Sequence, residues 1–324
     1  VTFNSLFEKE NGTEIWLQTT VTPILDDDSL IKKYVVIYGD VTSLKKAQSQ
    51  IEKHNREITA SIRYASRIQS SVLPLRNNIA NSELETFILY QPKDIVGGDF
   101  YWFSRHHGHY LAGVIDCTGH GVPGAFMTVI AYAVISRIID DKTASNPAFL
   151  LQQMNKHVRQ MLKQKAHDDG YSDDGLDASF CYIIPEDRKL IFAGAKQALF
   201  HSYSGEIFEI KGDRQSIGYT SSKEDFKYTN KEVEIRQNSI FYLASDGFKD
   251  MSLDGDGTIL GKKRFRELLE SITGKSLHQQ HDYLKKIMDK AIARNEQYDD
   301  ITIFGFKLPH DSKGVNEPSH DPPA

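Results

Sequence analysis

From Phe87 onward the chain alternates β-rich apolar runs with longer segments of helical period. Residues 111–115, 178–184, 190–193, 239–244 and 301–306 are short, apolar and rich in β-branched or aromatic side chains, the pattern of buried strands. Residues 127–139, 148–165, 263–272 and 277–295 carry apolar positions at helical spacing. Strands dominate, and many follow one another with no room for a helix between them. A doubly wound parallel sheet needs such crossovers, so the pattern predicts an α+β fold of antiparallel sheets with covering helices.

The first 43 residues read as strands. Residues 14–21 alternate in part, Tyr34-Val35-Val36-Ile37-Tyr38 is a β-rich run, and a Pro/Asp-rich turn over 23–29 separates them. Gly39-Asp40-Val41-Thr42 breaks the last strand, and Thr42 or Ser43 is placed to cap a helix. This stretch resembles the C-terminal half of a PAS sensor domain, in which a last strand ending in Asp-Ile/Val-Thr runs into a signalling helix. A plain β-hairpin before a helix is the alternative. Residues 44–73 contain no Gly or Pro, and Leu44, Ile51, Ile58, Ala65 and Val72 recur every seven residues. The companion series Ala47, His54, Ser61 and Ile68 is weaker. The pattern predicts a dimeric signalling helix over 44–74, ended by Pro74, in preference to a solvated surface helix.

Composition narrows the setting. A chain of 324 residues carries a length prior of about two domains. The net charge is −5 and no basic block is present, so nucleic acid is not expected as a partner. The longest nearly apolar run, 126–134 continuing to Ile139, is too short for a bilayer and reads as a buried helix. Val1-Thr2-Phe3-Asn4 has neither a basic nor an apolar leader pattern and no initiator Met; the chain reads as a piece of a longer protein, whose other parts can include a membrane anchor. Cys117 and Cys181 lie in apolar contexts with no Cys-x-x-Cys or Cys/His cluster, which argues against a disulfide framework or structural zinc and fits the cytoplasm. Residues 167–177 are acidic with glycines and read as a loop at a site rim. Residues 309–324 are Pro/Ser/His/Asp-rich and expected to be disordered.

Four acidic motifs carry the chemistry: Val96-Gly97-Gly98-Asp99-Phe100, Asp116-Cys117-Thr118-Gly119-His120-Gly121, Ala244-Ser245-Asp246-Gly247 and Asp299-Asp300-Ile301-Thr302. Each sets an aspartate beside a β-like run. Carboxylates crowded together without cations would cost several kcal/mol in repulsion and desolvation. Mg²⁺ or Mn²⁺ would remove that cost, because both prefer oxygen ligands and retain waters. Two such ions about 3.5–4 Å apart lower the pKa of a shared water, which can then attack phosphorus in line. The sequence has no Gly-x-Ser-x-Gly elbow, Cys-x5-Arg loop or Walker A lysine, so a covalent phospho-enzyme is not indicated.

In this order, these residues resemble the SpoIIE/RsbU-type branch of the PPM metal-dependent serine/threonine phosphatases. The resemblance covers roughly 64–307, with Ile68-Gln69-Ser70-Ser71-Val72-Leu73-Pro74 matching the helix that leads into the domain and Ala193-Gly194 between the second and third motifs. It implies a sandwich of two antiparallel β-sheets flanked by helices over 75–308, with two Mn²⁺ or Mg²⁺ ions, and a third in some sites, at the sheet edges. It also implies hydrolysis of phosphoserine or phosphothreonine on a STAS-domain protein. Carried over, Asp116 bridges both metals, the Cys117 carbonyl is a further ligand, Asp246 and Asp299 hold one metal, and Asp99 binds directly or through water. Asp300 stands where many relatives have asparagine; Asp299 is preferred to it as the ligand.

Other residues keep two readings. His120 is a candidate acid for the leaving seryl oxygen, displaced by two positions from the acid histidine of eukaryotic relatives; its alternative is a hydrogen bond at a helix start. Lys93 and Lys196 are candidate phosphate contacts, or solvated lysines. Asp174 and Asp177 approach a third metal or order the rim loop. Gly97-Gly98-Asp99-Phe100 superficially resembles the diguanylate cyclase signature but lacks its acidic residue before the phenylalanine. The rival functional readings are a catalytically silent, PAS-coupled scaffold, which loss of a metal aspartate would mark, and a phosphoryl hydrolase acting on a nucleotide.

Overall fold

The computed structural model describes residues 1–72, 79, 82–163, 173–253 and 257–309. The expectations for Pro74, for most of the 167–177 loop and for nearly all of the 309–324 tail lie outside those residues. The chain divides into two compact units, Val1–Tyr64 and Ala65–Ala324.

In the first unit β1 (Thr2–Glu8), β2 (Glu14–Leu25) and β3 (Ile31–Asp40) form an antiparallel sheet in the order β1-β2-β3. The sequence marks two strands here, over 14–21 and 34–38, and β1 adds a third. Helix α1 (Thr42–Val72) follows. Its start differs from the expected cap. The Asp40 carboxylate accepts from the Thr42 N–H at 2.9 Å, while the Thr42 hydroxyl accepts instead from the Trp16 N–H at 2.8 Å. The threonine thus ties the helix start back to β2. Leu44, Ile51 and Ile58 of the heptad series are 65%, 60% and 57% exposed in the single chain.

The second unit holds two five-stranded antiparallel sheets. One has the order β11-β8-β7-β6-β5, from β5 (Asp99–His106), β6 (His109–Cys117), β7 (Leu176–Ile184), β8 (Lys189–Ala195) and β11 (Lys231–Glu234). The other has the order β10-β9-β12-β13-β4, from β4 (Glu85–Gln91), β9 (Leu199–Tyr203), β10 (Glu206–Ile210), β12 (Ile240–Ala244) and β13 (Ile301–Lys307). Tight turns join β5 to β6, β7 to β8 and β9 to β10. His107 and Gly108 both take positive φ (50° and 91°) between β5 and β6, as a two-residue hairpin with the strands' own twist requires.

Period-two alternation splits each strand between two cores. Tyr101 and Phe103 of β5 meet Phe241, Leu243, Phe304 and Phe306 of the opposite sheet between the layers. Phe100 and Trp102 face the other way, into a core with α2 (Gly121–Ile138) and α4 (Pro147–Leu162), which follow the short α3 (Asp141–Ala144). Tyr242 and Ala244 face α6 (Gly261–Ile272) and α7 (Leu277–Ile292), beyond the one-turn α5 (Gly247–Asp250). Each fully buried Phe or Leu contributes roughly 1.5–3 kcal/mol, so both faces of each sheet must be covered by apolar partners. The result is a four-layer helix–sheet–sheet–helix unit, the sandwich that the sequence predicts. α2 is long and apolar enough to cross a membrane by composition, yet Met127, Ala131, Val134 and Ile135 are buried against the sheet.

Candidate metal centre and active site

The strand register builds an acidic row. Asp99 pairs with Asp116, and Asp116 pairs with Asp177, at one end of β5, β6 and β7. Paired residues project to the same face, and like charges directly opposite one another destabilise a sheet. On the other sheet β12 ends at Ala244 and β13 begins at Ile301, so Ser245-Asp246 and Asp299-Asp300 lie beside each other. The Ser245 N–H donates to the Thr302 carbonyl at 3.0 Å, and the Thr302 N–H donates to Ser245 Oγ at 3.0 Å.

The two edges are stitched through Asp99. Its Oδ2 accepts from Ser245 Oγ at 2.6 Å and from Thr302 Oγ1 at 2.8 Å, both hydroxyls coming from the opposite sheet. Asp300 returns the connection. It is 2% exposed, with Oδ1 accepting from the Lys93 N–H at 2.7 Å and Oδ2 from the Gly98 N–H at 2.5 Å. Glycine is required where these loops touch. A Cβ on Gly98 would overlap the Gly119 carbonyl and press on that of Cys117, and one on Gly247 would overlap the Asp300 carbonyl.

Burial pushes the Asp99 carboxyl well up; the Ser245 and Thr302 hydroxyls oppose that, while Asp300 and Asp299 add to it. Burial likewise raises Asp116, and the charges of Asp99, Asp246, Asp299 and Asp177 raise it further. The four sequence motifs therefore converge, and Asp177 joins them. Asp177 is itself raised by burial, opposed by Ser216 and by the Lys196 charge. Its Oδ1 is buried with no hydrogen-bond partner. Asp246 precedes α5 without making a cap hydrogen bond.

This donor set fits a hard divalent ion. It is made of carboxylate oxygens, burial and then the neighbouring charges raise Asp99, Asp116 and Asp177, and it includes an orphaned buried oxygen. Among the described residues no three Asp, Glu, His or Cys side chains close on one point by themselves, so main-chain oxygens and water would complete the shells of ions that keep several waters. The Cys117 carbonyl borders Gly98, and its buried thiol is pushed up by burial. Asp299 and Asp300 take different parts. Asp300 spends both oxygens on main-chain donors, whereas the carboxylate of half-buried Asp299 accepts the Asp300 N–H at 2.8 Å.

The remaining candidates lie around this centre. His120 Nε2 is 2.9 Å from Lys93 Nζ, and its Nδ1 is 2.8 Å from Asp94 Oδ2. An ammonium only donates, so Nε2 accepts and Nδ1–H donates to Asp94. Lys196 stands in the left-handed region (φ 58°), its N–H held by the Asp213 carbonyl at 2.7 Å. Asp174 is partly buried on the segment leading into β7, while neighbouring Asp173 accepts from the Thr220 N–H at 2.7 Å.

Sequence reasoning missed Asp94, the Ser245 and Thr302 hydroxyls and the use made of Gln69. Gln69, in the last turn of α1, is 5% exposed; its Nε2 donates to the Gly97 carbonyl at 2.6 Å and to Thr128 Oγ1 at 2.9 Å. Ser245, Thr302 and Gln69 stand inside recognised motifs, but their roles depend on long-range pairing; nothing in the sequence marks Asp94.

Comparison with known proteins identifies the family and the fold. The family model described as stage II sporulation protein E (SpoIIE) matches residues 106–309. The SiaA-PP2C domain of Pseudomonas aeruginosa is 36% identical, with a TM-score of 0.70 over 79% of this chain and 98% of that one. The PP2C phosphatase domain of SpoIIE from Bacillus subtilis, solved with a fragment of its regulatory domain, is 16% identical with a TM-score of 0.53, covering 71% of this chain and 64% of that one. The RsbU and RsbW domains of a Mycobacterium tuberculosis protein align at 13% identity and a TM-score of 0.54, over 70% and 60% of the respective chains. The last two likenesses concern the fold alone. No curated protein sequence matches. The chain belongs to the SpoIIE family, with the fold of the PP2C/PPM-type serine/threonine phosphatases.

Proposed function

We propose that this protein removes phosphate from phosphoserine or phosphothreonine on a partner protein, using two divalent ions, Mn²⁺ or Mg²⁺. The observation that carries the reading is the acidic row Asp99–Asp116–Asp177 set beside Asp246 and Asp299. Asp116, Asp246, Asp299 and the Cys117 carbonyl would hold the ions, with Asp99 reaching them directly or through water, and Asp177 and Asp174 flanking a third. Ions held there would neutralise the phosphoryl oxygens and acidify the attacking water. Ser245, Thr302 and Asp300 fix Asp99 and its loop, so the carboxylates need little rearrangement during the reaction.

Lys93 and His120 complete the proton and charge handling. When a phosphate arrives, Lys93 turns from His120 Nε2 to a phosphoryl oxygen. The freed Nε2, protonated from solvent, delivers its proton to the leaving seryl oxygen, while Asp94 holds Nδ1–H and so the ring. Lys196 contacts the substrate from the Asp177 side.

The partner we infer is a phosphorylated STAS-domain protein, and the regulator is α1, following a PAS-like sheet. The support is local. The exposed series Leu44, Ile51 and Ile58 suits a second copy of the helix, and Gln69, on the last turns of the same helix, grips the Gly97 carbonyl next to Asp99. Incubating the protein with a phosphorylated STAS-domain protein, with and without Mn²⁺, tests the reading. Phosphate release only with the ion supports it; release indifferent to the ion and to chelator refutes it.

A further inference from the structure

We infer that a basic cavity beside the acidic centre receives an acidic segment of the substrate protein, next to its phosphorylated residue. The inference rests on the phosphatase reading and adds to it a class of sequence that the enzyme selects.

The cavity has a volume of about 470 Å³ and is lined by Lys196, Lys211, Arg214, Lys249 and Lys262, against two carboxylates, Glu209 and Asp213. Both acids are engaged. Glu209 pairs with Lys262 at 2.5 Å, and Asp213 accepts from the Thr229 N–H at 2.7 Å and from Thr229 Oγ1 at 3.3 Å. Among the described residues, Lys196, Lys211, Arg214 and Lys249 make no ion pair with a carboxylate. A chain of net charge −5 thus gathers unpaired cations in one hollow. Gathering them costs self-repulsion, and a cleft with an excess of one sign concentrates ligands of the other.

The hollow is placed for a substrate. Ala244, on its wall, lies two residues before Asp246. The charges of Lys196 and Lys249 both act on Asp177. A second cavity, of about 480 Å³, shares Lys196 and Arg214 and reaches Asp177 and Tyr219. The backbone is firm: the Lys196 N–H donates to the Asp213 carbonyl and the Asp213 N–H to the Gly194 carbonyl, each at 2.7 Å. A phosphoseryl residue at the carboxylate row would therefore set its neighbours over these cations. Carboxylate side chains are the matching chemistry. A hollow of this size takes a few side chains, not a nucleic-acid duplex.

The test uses the full chain with Mn²⁺ and three phosphoserine peptides of equal length, flanked by Asp/Glu, by neutral residues or by Lys/Arg. The expected order of kcat/KM is acidic, neutral, basic, with about tenfold between the extremes, narrowing as salt rises. The double variant Lys211→Glu/Arg214→Glu should reverse the order and favour the Lys/Arg peptide, which a merely structural disturbance would not do. Equal rates for the three peptides, or an order unchanged in the variant, would overturn the inference while leaving the phosphatase reading intact. Inhibition by millimolar inorganic phosphate that disappears in the double variant, with no peptide preference, would show a free-phosphate site instead. Hydrolysis of no peptide overturns the phosphatase reading, and this inference with it.

Discussion

Thr302 Oγ1 donates to Asp99 Oδ2 across 2.8 Å, joining the first residue of β5 to the second residue of β13 in the opposite sheet. The same carboxylate oxygen takes Ser245 Oγ at 2.6 Å. Hydrogen bonds to a charged group are worth about 1.5–3 kcal/mol. Thr302→Val keeps the shape and removes the donor. It should weaken Mn²⁺ binding and lower kcat/KM roughly tenfold, with an unchanged circular dichroism spectrum. Metal affinity equal to wild type, measured by calorimetry, would show that the hydroxyl does not position Asp99.

Asp299 and Asp300 should separate under the same substitution. Asp299→Asn should abolish Mn²⁺ binding at that position and leave the melting temperature of the ion-free protein near wild type. Asp300→Asn keeps one acceptor for the Lys93 and Gly98 N–H groups and loses the other. It should lower stability by about 1–3 kcal/mol while retaining measurable Mn²⁺-dependent activity. Calorimetry and thermal melts on the two variants distinguish the roles; the reverse outcome would exchange ligand and anchor.

These contrasts show how far the sequence was legible. Asp99, Asp116, Asp246 and Asp299 could be picked out because each stands at a strand end, the first three in motifs that contain glycine, and strand runs such as 178–184 and 301–306 were visible as short β-rich apolar segments. Asp177 was visible as an acid that approaches a third metal or orders the rim loop; its place in the row depends on the β6–β7 register, which no local pattern states. The partners of Asp300 lie about 200 positions away, and proximity of that kind is a product of the fold. Strand β1 was missed as a distinct strand because Thr2–Glu8 has little apolar alternation and is mostly exposed. Thr42 looked like a cap because its type favours that position, but its hydroxyl accepts from the Trp16 N–H of β2 instead.

Gln69 should connect α1 to activity. Gln69→Ala removes the bonds donated to the Gly97 carbonyl and to Thr128 and the one accepted from the Gly97 N–H. It is expected to lower kcat at least tenfold, about 1.4 kcal/mol, with a much smaller effect on binding of a phosphopeptide. Gln69→Glu, which cannot donate when ionised, should behave similarly. Wild-type kcat in both variants would remove α1 from the catalytic account.

His201 gives a pH dependence away from the centre. It stacks on Phe241 with ring centroids 4.5 Å apart, and Nε2 meets Ser239 Oγ at 3.0 Å. Burial, helped by the Arg236 charge, lowers its pKa to about 4. The fold therefore favours the neutral ring. Its contribution to stability is complete above about pH 6.5 and is lost as pH falls toward about 4, because the unfolded chain takes up the proton first. Denaturant melts should show wild type losing more stability than His201→Gln between those values. Parallel curves for the two proteins would assign the pH response elsewhere.

The central claim is that the carboxylates from the two sheet edges act as one ion-dependent catalytic centre. Phosphate release from a phosphoserine peptide, titrated with Mn²⁺, measures this directly in wild type, Asp116→Asn and Asp246→Asn. The expected result is saturable Mn²⁺-dependent release by wild type, abolished by chelator, and a loss of at least a hundredfold, about 2.7 kcal/mol, in each variant with the fold intact. Release by either variant at the wild-type rate would contradict the account.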